Sequence, residues 1–202
     1  YAEYISLPGR FVNKIPKKSL SMVTASSIEP LAVVLKGMRR VGLDNLKVSD
    51  RENILVIGAG PIGHLAARVG FSWGHQVTIF DKNKIRLSFL SDIDIDTIDN
   101  LPDYKKFFCI IECTGKINLG YHVIKNSSTA TTILLLGLPY EKKSIDLENI
   151  VSSDKKIIGS VGSSGDDFRD AISIAQQINL SWFDKSIYEF SNWQKAWETH
   201  KS

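Results

Sequence analysis

Between Asn53 and Asp81 the chain reads NILVIGAGPIGHLAARVGFSWGHQVTIFD, a stretch whose glycines and closing acid are spaced to hold a phosphorylated ligand. An apolar, largely β-branched run from Ile54 to Ile57 leads into Gly58-x-Gly60-x-x-Gly63. A helix-forming segment, Ile62 to Trp73, comes next, and a second apolar run, Val77 to Phe80, ends on Asp81. The three glycines alone are a weak signal. Following a strand, opening a helix and finding an acid about twenty residues on, they read as a dinucleotide fingerprint. Gly58 would permit the tight turn, Gly60 would let a pyrophosphate approach the backbone, and Gly63 would let the helix lie close to the strand. The helix N-terminus, which Pro61 opens, would offer free N–H groups and a partial positive charge to the phosphates. Asp81 would accept hydrogen bonds from both adenine-ribose hydroxyls and repel a 2′-phosphate, which favours NAD over NADP. Lys82 works against that preference, because a cation there could tolerate the extra phosphate. The alternative is a tight strand–helix turn that holds no ligand.

The elements that would carry this turn alternate along the chain. Strands are expected at 53–57, 76–80, 94–98, 107–112, 131–137 and 156–160, and helices at 61–73, 82–90, 116–126, 146–153 and 165–178. Such alternation implies right-handed crossovers and an α/β fold with a doubly wound parallel sheet covered on both faces. The continuous apolar runs FFCII and TILLLGL suit strands buried on both sides. Upstream, residues 1–18 read as two extended pieces broken by Pro8-Gly9 and Pro16. Ser19 to Val41 has a helical stripe from Met22 to Met38, with Ser19 or Ser21 as cap, Gly42 as stop and Pro30 expected to kink or divide it. After Asn179 the pattern changes to a short strand, SIYEF, and an amphipathic tail from Ser191 to Lys201 capped by Ser191.

Composition narrows the classes of function. The 202 residues are 43% apolar, enough for a real core, and carry a formal charge of +3. Basic and acidic residues are interspersed, so neither a nucleic-acid nor an acidic-membrane partner is expected. No apolar run approaches the ~20 residues of a membrane span, and no signal peptide heads the sequence. The two cysteines, Cys109 and Cys113, fall on one face of one expected strand, too few for a four-cysteine zinc site and wrongly placed for a hairpin disulfide. A reducing, cytoplasmic setting is the simplest reading. The sequence begins at Tyr1 rather than Met, so a fragment or a processed piece is expected.

The order of motifs resembles the medium-chain zinc-dependent alcohol and polyol dehydrogenases. YAEYISLPG, the helix with IEPLAVVLKGMRRVGL, then ILVIGAGPIG, VTIFD, IIECTG, ILLLGLP, IDLENIVSSDKKIIGSVGSS and SIYEFSNWQKAWE follow that family's pattern from Tyr1 to about Trp197. The E-P-x-A-V form of the first helix points to its sorbitol, threonine and sugar dehydrogenase branch. The resemblance implies a Rossmann fold over 21–178. Residues 1–20 would be the end of a GroES-like, barrel-shaped catalytic half that is otherwise absent here, and 179–202 a return segment to it.

Further expectations follow from the resemblance. Zinc would be held in the full-length parent only, since the family's Cys or Ser and His ligands precede the segment matching Tyr1. Glu29 matches the Glu of the E-P dipeptide, which ligates zinc or holds a zinc-bound water in polyol and sugar dehydrogenases; the alternative is an exposed acid beside Pro30. None of His64, His75, His122 and His200 has metal spacing with another ligand, and His64 and His200 read as surface or packing residues. Ligands of a doubly wound sheet lie beyond the carboxyl ends of its strands. Of these ends, Gly137-Leu138 and Ser160-Val161 match backbone contacts to the nicotinamide end, and Cys113-Thr114 lies near the adenosine side. Ile62 matches an apolar contact under the cofactor. Arg86 matches a residue covering adenine or ribose; the alternative is a solvated helix charge, with or without Asp81 as its partner.

Two functions follow. One is the cofactor half of an oxidoreductase moving a hydride between NAD and a secondary alcohol of a polyol or sugar, inactive as this chain alone. The other is a non-catalytic nucleotide-binding or assembly module. KKIIGSV, at the expected sheet edge, matches the strand through which the family pairs, so a homodimer or homotetramer is expected.

Overall fold

The computed structural model describes residues 4–15, 20–44, 53–182 and 187–201. Its centre is a six-stranded, all-parallel sheet in the order β3-β2-β1-β4-β5-β6. The strands are β1 (Asn53–Ile57), β2 (Gln76–Phe80), β3 (Asp96–Ile98), β4 (Cys109–Glu112), β5 (Thr132–Leu135) and β6 (Lys156–Gly159). This is the doubly wound order, with its reversal between β1 and β4. Side chains alternate across it. Ile54, Val56, Cys109 and Ile111 join one core with helices α2 (Ile28–Arg40), α3 (Pro61–Ser72) and α7 (Gly165–Ile174). Leu55, Ile57, Ile110 and Ile133 join a second core with α5 (Ile117–Asn126), while Ile150 of α6 (Leu147–Ser152) packs at its margin. Covering both faces is what makes the central strands read as unbroken apolar runs.

The first helix divides, for a reason Pro30 supplies. α1 (Met22–Ser26) ends and α2 begins at Ile28, with Ser27 between them. Pro30 has no N–H for the carbonyl of Ser26 and its ring crowds that group, so the break falls four residues upstream; Pro30 itself sits harmlessly in the first turn of α2. Ser21 caps α1 by accepting from Thr24 N at 3.0 Å, while Ser19 lies outside the described residues. Gly42, with φ +78, ends the run as expected. The tail differs from expectation. Ile187 to Glu189 are irregular, Phe190–Asn192 form a 3-10 turn, and α8 (Trp193–Lys201) begins directly after it. Ser191 therefore sits inside the turn and not at a cap. The expected strand SIYEF does not form over its described part: an extended segment persists only with a ladder partner for its N–H and C=O groups, and Ile187 and Phe190 stay exposed. Among the described residues no helix is long and apolar enough to cross a membrane.

Polar groups buried behind β1 and β2 lock α3 to the segment after β2. The Arg68 guanidinium, 2% exposed, donates to both oxygens of Asp92 and to the Phe89 carbonyl. Asn179 donates to the same Asp92 at 2.6 Å, tying in the chain beyond α7. His64, 1% exposed, packs its ring 4.4 Å from that of Trp182 and reaches the carbonyl of Arg86 with Nε2 at 2.9 Å. A carbonyl only accepts, so Nε2 carries the proton; Nδ1 is buried without a partner. Burial first, then the nearby Arg68 charge, lower the His64 pKa to about 4, against an upward pull from the Arg86 carbonyl. His64 is a packing residue, as the sequence suggested.

The neutral His64 makes folding pH-dependent. Its ordinary pKa of 6.5 applies in the unfolded chain, so between pH 6.5 and about 4 only the unfolded state takes up this proton and stability falls with pH. The full gap is worth about 3 kcal/mol. Asp92, held below its ordinary pKa chiefly by the hydrogen bond from Arg68, loses its contribution only lower, as pH falls through its folded value. Urea unfolding at pH 7 and pH 4.5 should therefore show a marked loss for the native chain and a much smaller one for His64→Gln, whose amide keeps a donor for the Arg86 carbonyl.

Candidate functional site: a dinucleotide-shaped cleft

The carboxyl ends of β1, β2 and β4 frame a cleft of about 650 Å³. Of the residues expected to bind a cofactor, Gly58, Gly60, Asp81, Arg86, Cys113 and Thr114 line it together, joined by Lys82, Gly115, Lys116 and Tyr140. Gly58 makes the turn with φ +99 and donates its N–H to the Phe80 carbonyl at 2.8 Å. A Cβ at Gly63 would overlap the Gly58 carbonyl, so α3 lies against the turn with no room for a side chain. Nothing lies within 4 Å of the place where Gly60 would carry a Cβ. Gly60 is the N-cap of α3, no side chain caps the helix, and Pro61 occupies its first turn. The result is open space beside uncapped N–H groups, the arrangement that accepts a phosphate. Ile62 is half-buried beside the turn and packs on the first core.

Asp81 is oriented before any ligand arrives. One carboxyl oxygen accepts from Ala59 N at 2.7 Å, the other from Asn83 N at 2.8 Å. Each oxygen keeps a lone pair for a further donor, as two ribose hydroxyls would require. Arg86 is exposed on α4 (Lys84–Ser88), whose N-terminus Asn83 caps. Its guanidinium borders the cleft as an exposed charge, and no ion pair joins it to Asp81. Lys82 and Lys116 add two more cations to the lining. Cys113 is protonated: burial first, then Glu112, raise its pKa well above the ordinary value, and burial pushes Cys109 up to about 12.

The other expected contacts stand beyond this lining. Gly137 and Leu138 follow β5, and the Gly137 N–H is already taken by the Glu112 carbonyl at 2.9 Å. Ser160 follows β6 with its hydroxyl buried and without a partner. Val161 presents an exposed side chain while its carbonyl accepts from Lys36 of α2 at 2.9 Å. Glu29 faces a second hollow of about 630 Å³ with Ile5, Arg10, Phe11, Ser163 and Arg169. It is exposed in the first turn of α2, so the burial that would have made a carboxylate there expensive does not occur. Among the described residues no three His, Cys, Asp or Glu side chains are grouped to hold a metal. The donor set for a catalytic zinc is therefore incomplete within them.

Among the participants that sequence reasoning missed are Lys116, Tyr140 and Glu112. Tyr140 reaches the rim from the loop after β5, which Lys143 fastens to α5 by donating to Asn118 at 2.7 Å and lying over the Tyr121 ring. Glu112, buried at the end of β4, accepts from the turn that follows it. Its signal was an acid closing the apolar run FFCII.

The model of a family described as "Glucose dehydrogenase C-terminus" matches residues 23–202. The chain belongs to this family. It is 24% identical over 211 residues to glucose 1-dehydrogenase 1 of Vulcanisaeta moutnovskia, covering 95% of this chain and 55% of that protein. Sorbitol dehydrogenase of Halalkalibacterium halodurans is 22% identical over 221 residues, covering 100% of this chain and 62% of that one. The structure of Haloferax mediterranei glucose dehydrogenase in complex with NADP, Zn and gluconolactone superposes with a TM-score of 0.79 at 18% identity, covering 96% of this chain and 60% of that one. The likeness in structure fixes the Rossmann fold. The chain thus spans little more than half the length of these relatives and is the C-terminal, Rossmann-fold portion of the dehydrogenase family its motifs resembled.

Proposed function

We propose that this chain is the cofactor-binding portion of a zinc-dependent oxidoreductase that transfers a hydride between NAD and a secondary alcohol of a polyol or sugar. The observation that carries the reading is the uncapped N-terminus of α3 above the open space at Gly60, with Asp81 held at the next strand end by Ala59 and Asn83. Gly58 to Gly63 would hold the pyrophosphate and Asp81 the adenine ribose. Arg86 and Thr114 would flank the adenosine, and Ile62 would lie beneath the cofactor. Gly137, Leu138, Ser160 and Val161 would meet the nicotinamide end. The nicotinamide ring, when bound, supplies the hydride acceptor or donor; this chain orients it. The sugar and polyol activities of the relatives support the substrate class. Zinc would act as the Lewis acid in the longer parent, where Glu29 would join ligands from outside this chain. In that parent, residues 1–20 and 179–202 would belong with the catalytic half and 21–178 would form the cofactor domain. Two unpaired thiols suit a cytoplasmic protein.

Preference for NAD rests on Asp81, and the three cations of the lining oppose it. NADH should bind the 202-residue chain with an affinity of roughly micromolar to millimolar, because a single wall of a cleft leaves much of the ligand in water. Fluorescence titration should rank NADH above NADPH, and Asp81→Ala should weaken NADH by about 1–3 kcal/mol. Equal or tighter NADPH binding would overturn the assignment to Asp81; the NADP bound by the Haloferax relative makes this comparison the first to run.

Metal and turnover should be absent from this chain on its own. Elemental analysis should find no stoichiometric zinc, and a panel of polyols and sugars should give no NAD reduction above background. In the longer parent both should be present together, with Glu29→Gln lowering zinc occupancy or turnover. One tightly held zinc per 202-residue chain would sink this division of labour.

Self-association is read from the sheet edge. β6 is an edge strand of the sheet, where Arg40 of α2 donates to the Gly159 carbonyl, and Leu138, Val161 and, on α6, Leu147 and Val151 are exposed. A two-fold pair through β6 or the segment before it would cover them, alone or within a tetramer. Sedimentation at tens of micromolar should give a dimer or larger; a monomer would refute the pairing.

A further inference from the structure

Glu112 is 3% exposed and is absent from the lining of the cleft, yet three of the strand ends around it meet at this residue. Its side chain accepts from Thr114 N at 2.7 Å, from the Thr114 hydroxyl, and from Gly115 N at 3.2 Å. Its backbone carbonyl accepts from Leu136 N and Gly137 N, both at 2.9 Å, which binds the end of β5. A Cβ at Gly137 would come within 2.6 Å of Glu112 Oε2, so the two segments touch without room for a side chain. Thr114 carries the link on to β1. With its hydroxyl turned to Glu112 and also accepting from Lys116 N at 3.0 Å, its methyl group lies over Gly58, 2.6 Å from where a Cβ would stand. A threonine rotamer fixes hydroxyl and methyl together, so whatever holds one aims the other.

We propose that Glu112 is a positioning residue for the dinucleotide cleft. Its buried carboxyl group locks the Thr114 rotamer, and the locked methyl holds the Gly58 turn in the shape that presents the N-terminus of α3. Glu112 touches no ligand and acts only through Thr114 and Gly115. The role rests on the cofactor-binding reading above, and it predicts that affinity and turn geometry change together. A buried carboxyl group serving only the stability of the fold would change neither in the protein that remains folded.

The test uses the 202-residue chain as native, Glu112→Gln, Thr114→Val and the double variant. Glutamine keeps one acceptor but turns an NH₂ group toward the N–H of Gly115 or Thr114, two donors facing each other. Glu112→Gln should weaken NADH and NADPH alike by tenfold or more and shift the Gly58 amide resonance in ¹⁵N–¹H spectra of the folded protein. Thr114→Val should do the same, and the double variant should lose no more than about threefold beyond the worse single, because both break one link. If Glu112→Gln does not fold, the Gly58 resonance of ligand-free Thr114→Val decides, since this variant leaves both backbone hydrogen bonds to Glu112 in place and its affinity alone would also report the contact of Thr114 with the cleft. Binding within twofold of native, independent losses that multiply, or an unmoved Gly58 resonance would each overturn the proposal. A native chain that binds neither NADH nor NADPH would instead refute the cofactor-binding reading, and the Gly58 resonance would still decide whether Glu112 sets the turn.

Discussion

The backbone crossing at Gly58 is the contact on which the carboxyl edge of the sheet depends. Its N–H is fixed to the end of β2, its carbonyl lies against Gly63 of α3, and its missing Cβ leaves the place that the Thr114 methyl approaches. Four segments share one point, and each is admitted because the residue there has no side chain. With φ at +99, the turn also lies where an L side chain would be strained. Any larger residue would have to move a strand end, a helix and the β4 turn at once, and close-packed interiors resist concerted shifts of that kind.

Polar chemistry is distributed around that crossing according to depth. At the surface of the cleft Lys82, Arg86, Lys116 and Asp81 remain accessible to a ligand. One layer down, Asp81 and Glu112 use carboxyl oxygens to bind backbone N–H groups of adjacent turns, which replaces water without adding flexible partners. Behind α3 the buried Arg68 guanidinium reaches out to Asp92, an exposed carboxylate that Asn179 also meets, while buried His64 holds the far side of α4 through the carbonyl of Arg86. Because Arg86 offers its carbonyl to His64 and its side chain to the rim of the cleft, the packing behind α3 helps set where the Arg86 cation stands.

Apolar surface is distributed just as unevenly. The two cores close around the sheet, leaving β4 and all of β1 but Asn53 covered. By contrast Tyr4, Ile5, Phe11 and Val12 near the start, Phe190, Trp193 and Trp197 near the end, and Leu147 and Val151 of α6 are all more than half exposed. These residues give up little water on folding, so they contribute little to the stability of the sheet domain. They fall near the two ends of the described residues and on α6.

Much of this was legible because it is written in periods. Two-sided burial turns a parallel strand into an unbroken apolar run, so β1, β2, β4 and β5 stood out, and the glycine spacing with Asp81 marked the crossing between them. Pro30 announced a break, and the fold supplied its position through the carbonyl four residues back. Contacts between distant segments carry no period. SIYEF has the composition of a strand and forms none over its described part, since composition says nothing about whether a partner ladder stands beside it. His64 could be assigned to packing but not to the carbonyl of Arg86, twenty-two residues away. Glu112 is the sharpest case. An acid at the end of an apolar strand looks like a solvent-facing terminus, and only the return of Thr114 and Gly115 toward it makes the carboxyl group an interior hub. The β4 turn is short enough for that return because Gly115 takes φ +64, and a glycine three residues after an acid, as in E-C-T-G, is the local pattern through which such a hub can be recognised.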